Sequence, residues 1–108
     1  MARERFQTLT EQMFYILLCL RSECYGMDMM EKVRAMTGGR VSIGPGTLYH
    51  LLDRFVEEGM IYETKVEGRR RSYLITDAGR RVLEAEYQRL VMLTADYQQY
   101  MGVKGGRL

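Results

Sequence analysis

"SIGPGTLYHLLDRFVEEGMI", residues 42–61, holds the only proline of the chain between two glycines and runs at once into apolar residues at Leu48, Leu51, Leu52, Phe55 and Val56. That spacing is the stripe of an amphipathic helix. Pro45 suits the first helical position, where the N–H it lacks would be unpaired anyway, and Gly59 supplies the left-handed residue that ends the helix. The first turn is left small or hydrogen-bonding: Gly46, Thr47, Tyr49 and His50. With the apolar stripe turned inward, Thr47, Tyr49, His50, Asp53 and Arg54 fall largely on the outer surface. An uncluttered first turn lets the backbone approach a large anionic surface, because its free N–H groups and positive helix end attract phosphate oxygen. Taken alone, Gly44-Pro45-Gly46 is more simply a tight turn; the flanking sequence separates the two readings.

Downstream, "MIYETKV" (60–66) and "SYLI" (72–75) are β-prone runs joined by "EGRRR" (67–71), which reads as a hairpin with a glycine-containing, arginine-rich tip. Upstream, Met27 to Met36 forms a helix burying Met29 or Met30, Val33 and Met36, stopped by Gly38–Gly39. Before it, Leu9, Met13, Ile16, Leu17 and Leu20 make the stripe of a first helix, with Thr8 and Glu11 spaced as a capping box. Thr76 caps a last helix, "TDAGRRVLEAEY" onward, reaching about Tyr100. The order is helix, helix, helix, hairpin, long helix. The fold class expected is mostly α with a small β-hairpin: a winged helix-turn-helix plus one long C-terminal dimerisation helix. Residues 1–75 are expected to form the winged helix-turn-helix DNA-binding domain, 76–102 the dimerisation helix, and 103–108 a flexible tail.

Charge supports that reading. Residues 1–60 carry seven basic and eight acidic side chains, whereas 61–82 carry six basic (Lys65, Arg69, Arg70, Arg71, Arg80, Arg81) against Glu63, Glu67 and Asp77. Positive charge focused on one short stretch is the footprint of phosphate contact. In a helix-turn-helix the N-terminal part of the recognition helix meets base edges, and wing arginines enter a narrow minor groove or clamp phosphates. The DNA-binding set expected is Ser42, Gly46, Thr47, Tyr49, His50 and Arg54 from the helix region, with Lys65, Arg69, Arg70, Arg71 and Tyr73 from the wing.

The last helix carries Leu83, Tyr87, Leu90, Thr94, Tyr97 and Met101 at spacings of 4, 3, 4, 3 and 4, a heptad seam. About 25 residues at 1.5 Å each give a rod of about 37 Å, too long for so small a body to cover. A second copy is the simplest cover, with Glu84, Glu86, Arg89 and Asp96 left on the wet side. A homodimer would set two recognition helices about 34 Å apart on a palindromic site in double-stranded DNA.

Other classes have little support. There is no glycine-rich phosphate loop and no motif pairing a nucleophile with its base, so no enzyme is expected. Cys19 and Cys24 with a single histidine cannot complete an ordinary zinc site, and no metal or cofactor is expected. Cys19 reads as a small core residue and Cys24 as a stray thiol. "MFYILLCL" (13–20) is far shorter than the roughly 18 residues of a membrane span, and the chain reads as cytoplasmic. The rival is a winged-helix protein–protein interaction module without specific DNA binding, which a neutral wing would favour; this wing is basic.

The residues also resemble the PadR family of bacterial transcriptional regulators. "YGMDMMEKV" is similar to that family's tyrosine–glycine entry to its second helix. "SIGPGTLYHLLDRFVEEGMI" resembles its recognition-helix pattern, with a looser turn than usual, and "EGRRRSYLITDAGR" its wing and Thr-x-x-Gly-Arg exit. The resemblance spans about Leu9 to Leu83 and points to the smaller subgroup that dimerises through one C-terminal helix. It implies a homodimeric repressor of its own or neighbouring promoters, with Thr47 and Tyr49 as recognition-helix contacts and Arg69 to Arg71 as wing contacts. It also implies an effector class, since some relatives bind aromatic acids or flat drugs between subunits. Stacking on tryptophan is not available to this chain, which has none. Tyr87, Met92, Tyr97, Tyr100 and Met101 would line an adaptable pocket for a small aromatic or drug-like ligand, with plain interface core as the simpler role.

Overall fold

Thr10, not Thr8, opens the first helix. In the computed structural model, which describes residues 8–102, the Thr10 side chain accepts a hydrogen bond from the Met13 N–H at 3.1 Å. The expected Thr8–Glu11 capping box is therefore not formed. The reason lies in Leu9, 8% exposed, which is drawn into the core and shifts the cap two residues on. Helix α1 spans Glu11–Cys19, strand β1 Cys24–Tyr25, α2 Gly26–Met36, α3 Pro45–Glu57, β2 Ile61–Glu67, β3 Arg70–Ile75 and α4 Asp77–Met101. The tail expected at 103–108 lies outside the described residues.

The hairpin expected from sequence is present, and a third strand joins it. The order is β1-β3-β2, all antiparallel, with Cys24 opposite Tyr73 and Tyr25 opposite Ser72. Two residues are too short a strand to leave a periodicity signal. The pairing anchors the wing to the start of α2, and the Ile75 N–H adds a bond to the Leu20 carbonyl at 2.9 Å. An extra residue, Thr64, bulges β2 between Glu63 and Lys65. Its hydroxyl donates to the Glu23 carboxylate in the loop before β1.

One core joins the three short helices to the sheet. Ile16, Leu17 and Leu20 from α1 and its cap, Met29 and Val33 from α2, Leu48, Leu52 and Phe55 from α3, and Ile61 from β2 are all essentially inaccessible. At about 1.5–3 kcal/mol per fully buried side chain, this cluster is the main stabilising term. Two expected core members lie outside it. Met36, in the last turn of α2, and Val56, 42% exposed, sit at the margins of their stripes where the neighbouring elements end.

The α2–α3 turn is fixed by Thr37. Its buried hydroxyl donates to the Val33 carbonyl at 3.0 Å and accepts from the Val41 N–H at 3.1 Å. Gly38 and Gly39 take left-handed backbone there, at φ of 61° and 85°. Thr76 performs the matching task before α4: its hydroxyl accepts from the Gly79 N–H at 3.0 Å and donates to the Gly59 carbonyl at 2.7 Å.

Only the first turns of α4 lie on the domain, with Val82 and Leu83 packed against the core. Glu86 is another departure from expectation. It is 4% exposed, not on the wet side. Arg89 supports it through two bonds, Nε to Oε1 at 3.0 Å and Nη2 to Oε2 at 2.5 Å. The carboxylate also accepts from the Leu9 backbone N–H, and together these hold it below the usual carboxylate range against the opposing effect of burial. From Tyr87 onward the helix stands away from the domain and gives the molecule its 55 Å long axis.

Candidate nucleic-acid interface

The start of α3 is as open as its sequence implies. Gly44 is the N-cap and Pro45 the first helical residue, and no acidic residue occupies the first turn. Gly44, Pro45, Gly46, Thr47 and His50 are all exposed, as is Ser42 just before them. A Cβ added at Gly44 or Gly46 would meet nothing within 4 Å. Arg54 is half-buried one face further along. An exposed N-terminal turn that carries no acidic side chain of its own suits an approaching phosphate.

Tyr49 stands apart from this open set. It is half-buried and packs against the core. A Cβ on Gly26 would come within 3.2 Å of its Cε1 and Oη. The absent side chain of Gly26 is thus the space in which the Tyr49 ring lies. Burial, with Tyr25 adjacent, raises the phenol above its usual pKa. The tyrosine–glycine pair that opens α2 and the Thr-Leu-Tyr that opens α3 are therefore two halves of one contact.

The wing arginines have three different situations. Gly68, at φ 64°, and Arg69 form the two-residue loop between the paired Glu67 and Arg70, and Arg69 is exposed at the tip. Arg70 lies over the Tyr25 ring, its guanidinium carbon 4.5 Å from the centroid. Arg71 donates to the Glu63 carboxylate across the hairpin, which raises its pKa and holds it charged. Lys65 is exposed on β2. Tyr73, expected on the DNA-facing surface, is instead 2% exposed. Its alternation on β3 turns it inward between Cys24 and Glu63, and burial raises its phenol pKa.

The two parts meet. Tyr25, under Arg70 of the wing, precedes Gly26, against Tyr49 of α3. Asp53 on α3 acts electrostatically on both Arg71 and Tyr73. Helix α3 and the wing base thus form one surface.

On α4, Tyr87, Leu90, Thr94, Tyr97 and Met101 are exposed, whereas Leu83 belongs to the domain's own packing. At 100° per residue, the face that seats Gly79, Leu83 and Glu86 continues through Leu90, Leu93, Tyr97 and Tyr100. Leu93, 50% exposed, was missed by the seam read from sequence; the 4, 3, 4, 3 spacing from Glu86 would have found it had Glu86 been taken as buried. Met92 is turned about 200° from Leu90, to the opposite side of the helix, and so does not share a pocket with Tyr97 on one helix.

Among the described residues no group of three or more His, Cys, Asp or Glu is placed to hold a metal ion, and no helix is long and apolar enough to cross a membrane.

Comparison with known proteins follows this geometry. Residues 16–85 match the family described as the transcriptional regulator PadR-like family. Among curated proteins, the transcriptional regulator YqjI of Escherichia coli is 27% identical over 92 residues, covering 84% of this chain and 44% of that protein. The chain thus spans less than half the length of that relative. Among solved structures, a PadR family transcriptional regulator from Eggerthella lenta is 25% identical with a TM-score of 0.68, over 90% of this chain and 83% of that one. A transcriptional regulator from Clostridium thermocellum reaches a TM-score of 0.71 at 21% identity, over 86% of this chain and 98% of that one, a likeness of fold.

Proposed function

The chain belongs to the transcriptional regulator PadR-like family, and from that premise we propose that it binds double-stranded DNA sequence-specifically as a homodimeric repressor of its own or neighbouring promoters. The family is one of transcriptional regulators, not of enzymes. The observation that carries the proposal is the single surface made by the open first turn of α3 and the basic wing, joined through Tyr25 and Gly26.

In this reading Thr47 and His50, with Ser42 and Gly46 beside them, approach the major groove. Tyr49 positions that turn and presents what remains uncovered of its ring. Arg69 reaches furthest, into the minor groove or along a phosphate strand, while Lys65, Arg70 and Arg71 add positive charge at the wing. Two copies joined along Leu90, Leu93, Tyr97 and Met101 would meet a palindromic operator. A small aromatic or drug-like effector would enter between the α4 helices beside Tyr87, Tyr97 and Tyr100 and alter their separation.

Fluorescence anisotropy tests this with DNA from upstream of the protein's own gene, beside a random duplex, at several salt concentrations. Tight binding confined to the upstream DNA, with a log–log salt slope of about −0.9 per phosphate neutralised, is expected. Equally weak binding to every duplex tried, including flanking promoter regions, would overturn specific recognition and favour a protein partner.

A further inference from the structure

Helix α2 begins on a residue that does not cap it. The N-cap position ordinarily holds serine, threonine, aspartate or asparagine, whose side chains accept from the free N–H groups of the first turn. Here it holds Tyr25, in extended backbone, which makes no side-chain capping bond among the described residues. A stabilising contribution open to any of those four residues is given up. The ring is used elsewhere.

Tyr25 closes β1, opposite Ser72 of β3. Arg70 lies two residues from Ser72 along β3, on the same face of the sheet and diagonal to Tyr25, a separation that aromatic and long side chains bridge. Its guanidinium carbon stands 4.5 Å from the centre of the Tyr25 ring, inside the range of cation–π attraction. The half-buried ring receives the exposed arginine where β1 has ended and the sheet narrows from three strands to two. From there to the tip the pairs are Arg71 with Val66 and Arg70 with Glu67. A two-stranded ribbon twists more than a wider sheet and is marginally stable alone.

On its other side Tyr25 is followed by Gly26, whose missing side chain is the space of the Tyr49 ring. A line of contacts thus runs from Tyr49 in α3, through Gly26 and Tyr25, to Arg70. Arg69, exposed at the tip, is the next residue along the chain.

We propose that Tyr25 is a positioning residue for the wing, a role that rests on the DNA binding proposed above: by seating Arg70 on its ring, it fixes where Arg69 stands relative to the open first turn of α3, and so sharpens the choice of DNA sequence without contacting DNA itself. A specific site needs the first turn of α3 and the wing tip engaged together, whereas loose electrostatic binding needs only the charge. A wing held at the right separation beforehand loses less freedom on binding. A cation–π contact at an exposed position is worth a factor of about two to five in population, which sets the size of the effect expected on specific affinity. Tyr25 brings no charge to the surface, so counterion release should be untouched.

The test measures the full chain by fluorescence anisotropy on the upstream DNA and on a random duplex, at several salt concentrations, with urea midpoints alongside. Tyr25→Leu should weaken specific binding about two- to fivefold and leave the random-duplex affinity and the salt slope as in wild type. Tyr25→Phe, which keeps the ring, should restore specific affinity. In an Arg70→Met background Tyr25→Leu should add nothing, because the cation that the ring seats is gone. Additive losses, or Tyr25→Leu weakening both duplexes alike, would overturn the role. Tyr25→Phe as weak as Tyr25→Leu would assign the effect to the hydroxyl and overturn it equally. A second measurement needs no variant: in the NMR spectrum of the DNA-free wild-type protein, the ring should shift the Arg70 side-chain protons upfield. Random-coil positions for those protons would overturn the contact, even where Tyr25→Leu failed to fold. Wild type binding both duplexes equally would overturn the function proposed above and the role in specificity with it, while the Arg70 shift still decides the contact.

Discussion

A Cβ placed on Gly79 would stand 2.2 Å from the Met60 carbonyl oxygen and 2.8 Å from the Ile75 Cγ1. Helix α4 therefore lies directly on the backbone that leads into the wing. The Met60 carbonyl also accepts the Thr76 N–H at 2.9 Å and has little freedom to withdraw. Gly79→Ala is expected to lower stability by about 1–3 kcal/mol or more through overpacking, read as an earlier urea midpoint. A midpoint equal to wild type would show that the helix can lift away without loss.

Gly46→Ala should do the reverse. Its Cβ meets open space inside a helix, so alanine is expected to stabilise by about 0.5–1 kcal/mol. The added methyl nevertheless stands on the proposed groove-facing turn and should weaken specific DNA binding. Parallel melting and anisotropy curves check both halves; unchanged affinity would place the groove elsewhere.

Arg69 and Arg71 are predicted to differ despite being two residues apart. Arg69→Ala removes an exposed charge at the wing tip and should flatten the salt slope by about 0.9 while weakening binding to all duplexes. Arg71 is already paired with Glu63, and Arg71→Ala should change the slope by less. Equal effects would mean that the Glu63 pair opens on DNA.

Glu86 sets an acid limit. Its folded pKa lies below the unfolded value, so the stability it contributes is complete above the ordinary carboxylate pKa of about 4.5 and is lost as pH falls through the lower folded value. Glu86→Gln should remove that part of the decline in stability below about pH 5. Arg89→Ala, which leaves the buried carboxylate without its main partner, should lower the denaturant midpoint at neutral pH. Denaturant midpoints at pH 7 and pH 4 read both, and a Glu86→Gln profile parallel to wild type would contradict the assignment.

Leu93→Lys should separate a dimer. The position is exposed and lies on the face that runs from Glu86 to Tyr100, so a charge there is predicted to yield monomers by sedimentation equilibrium. Met92→Lys, on the opposite side, should not. The reverse pattern would assign the interface to the other face of α4.

How much of this was readable beforehand depended on whether the signal was local. Pro45, the α3 stripe and the arginine tip declare themselves within a few residues, and the helices and wing followed. Thr76 and Gly79 were visible as a motif, but the reason for the glycine lies in Met60, 19 positions away. Tyr73 looked like a wing contact because its burial depends on pairing with a two-residue strand too short to announce itself. Glu86 looked like a solvated charge because its partners include the Leu9 backbone.

One further consequence follows from the single residue, Thr76, that separates β3 from α4. There is no slack between the wing strand and the helix, and Gly79 seats that helix on the backbone beside it. The exposed part of α4, Tyr87 to Met101, is a lever about 21 Å long fixed at one end to the surface made by α3 and the wing. A tilt of about 10° imposed at its tip corresponds to a displacement of nearly 4 Å over that length. Whatever grips the lever, a second copy or a ligand wedged against it, therefore tunes the spacing and pitch of the surface at its root without touching it.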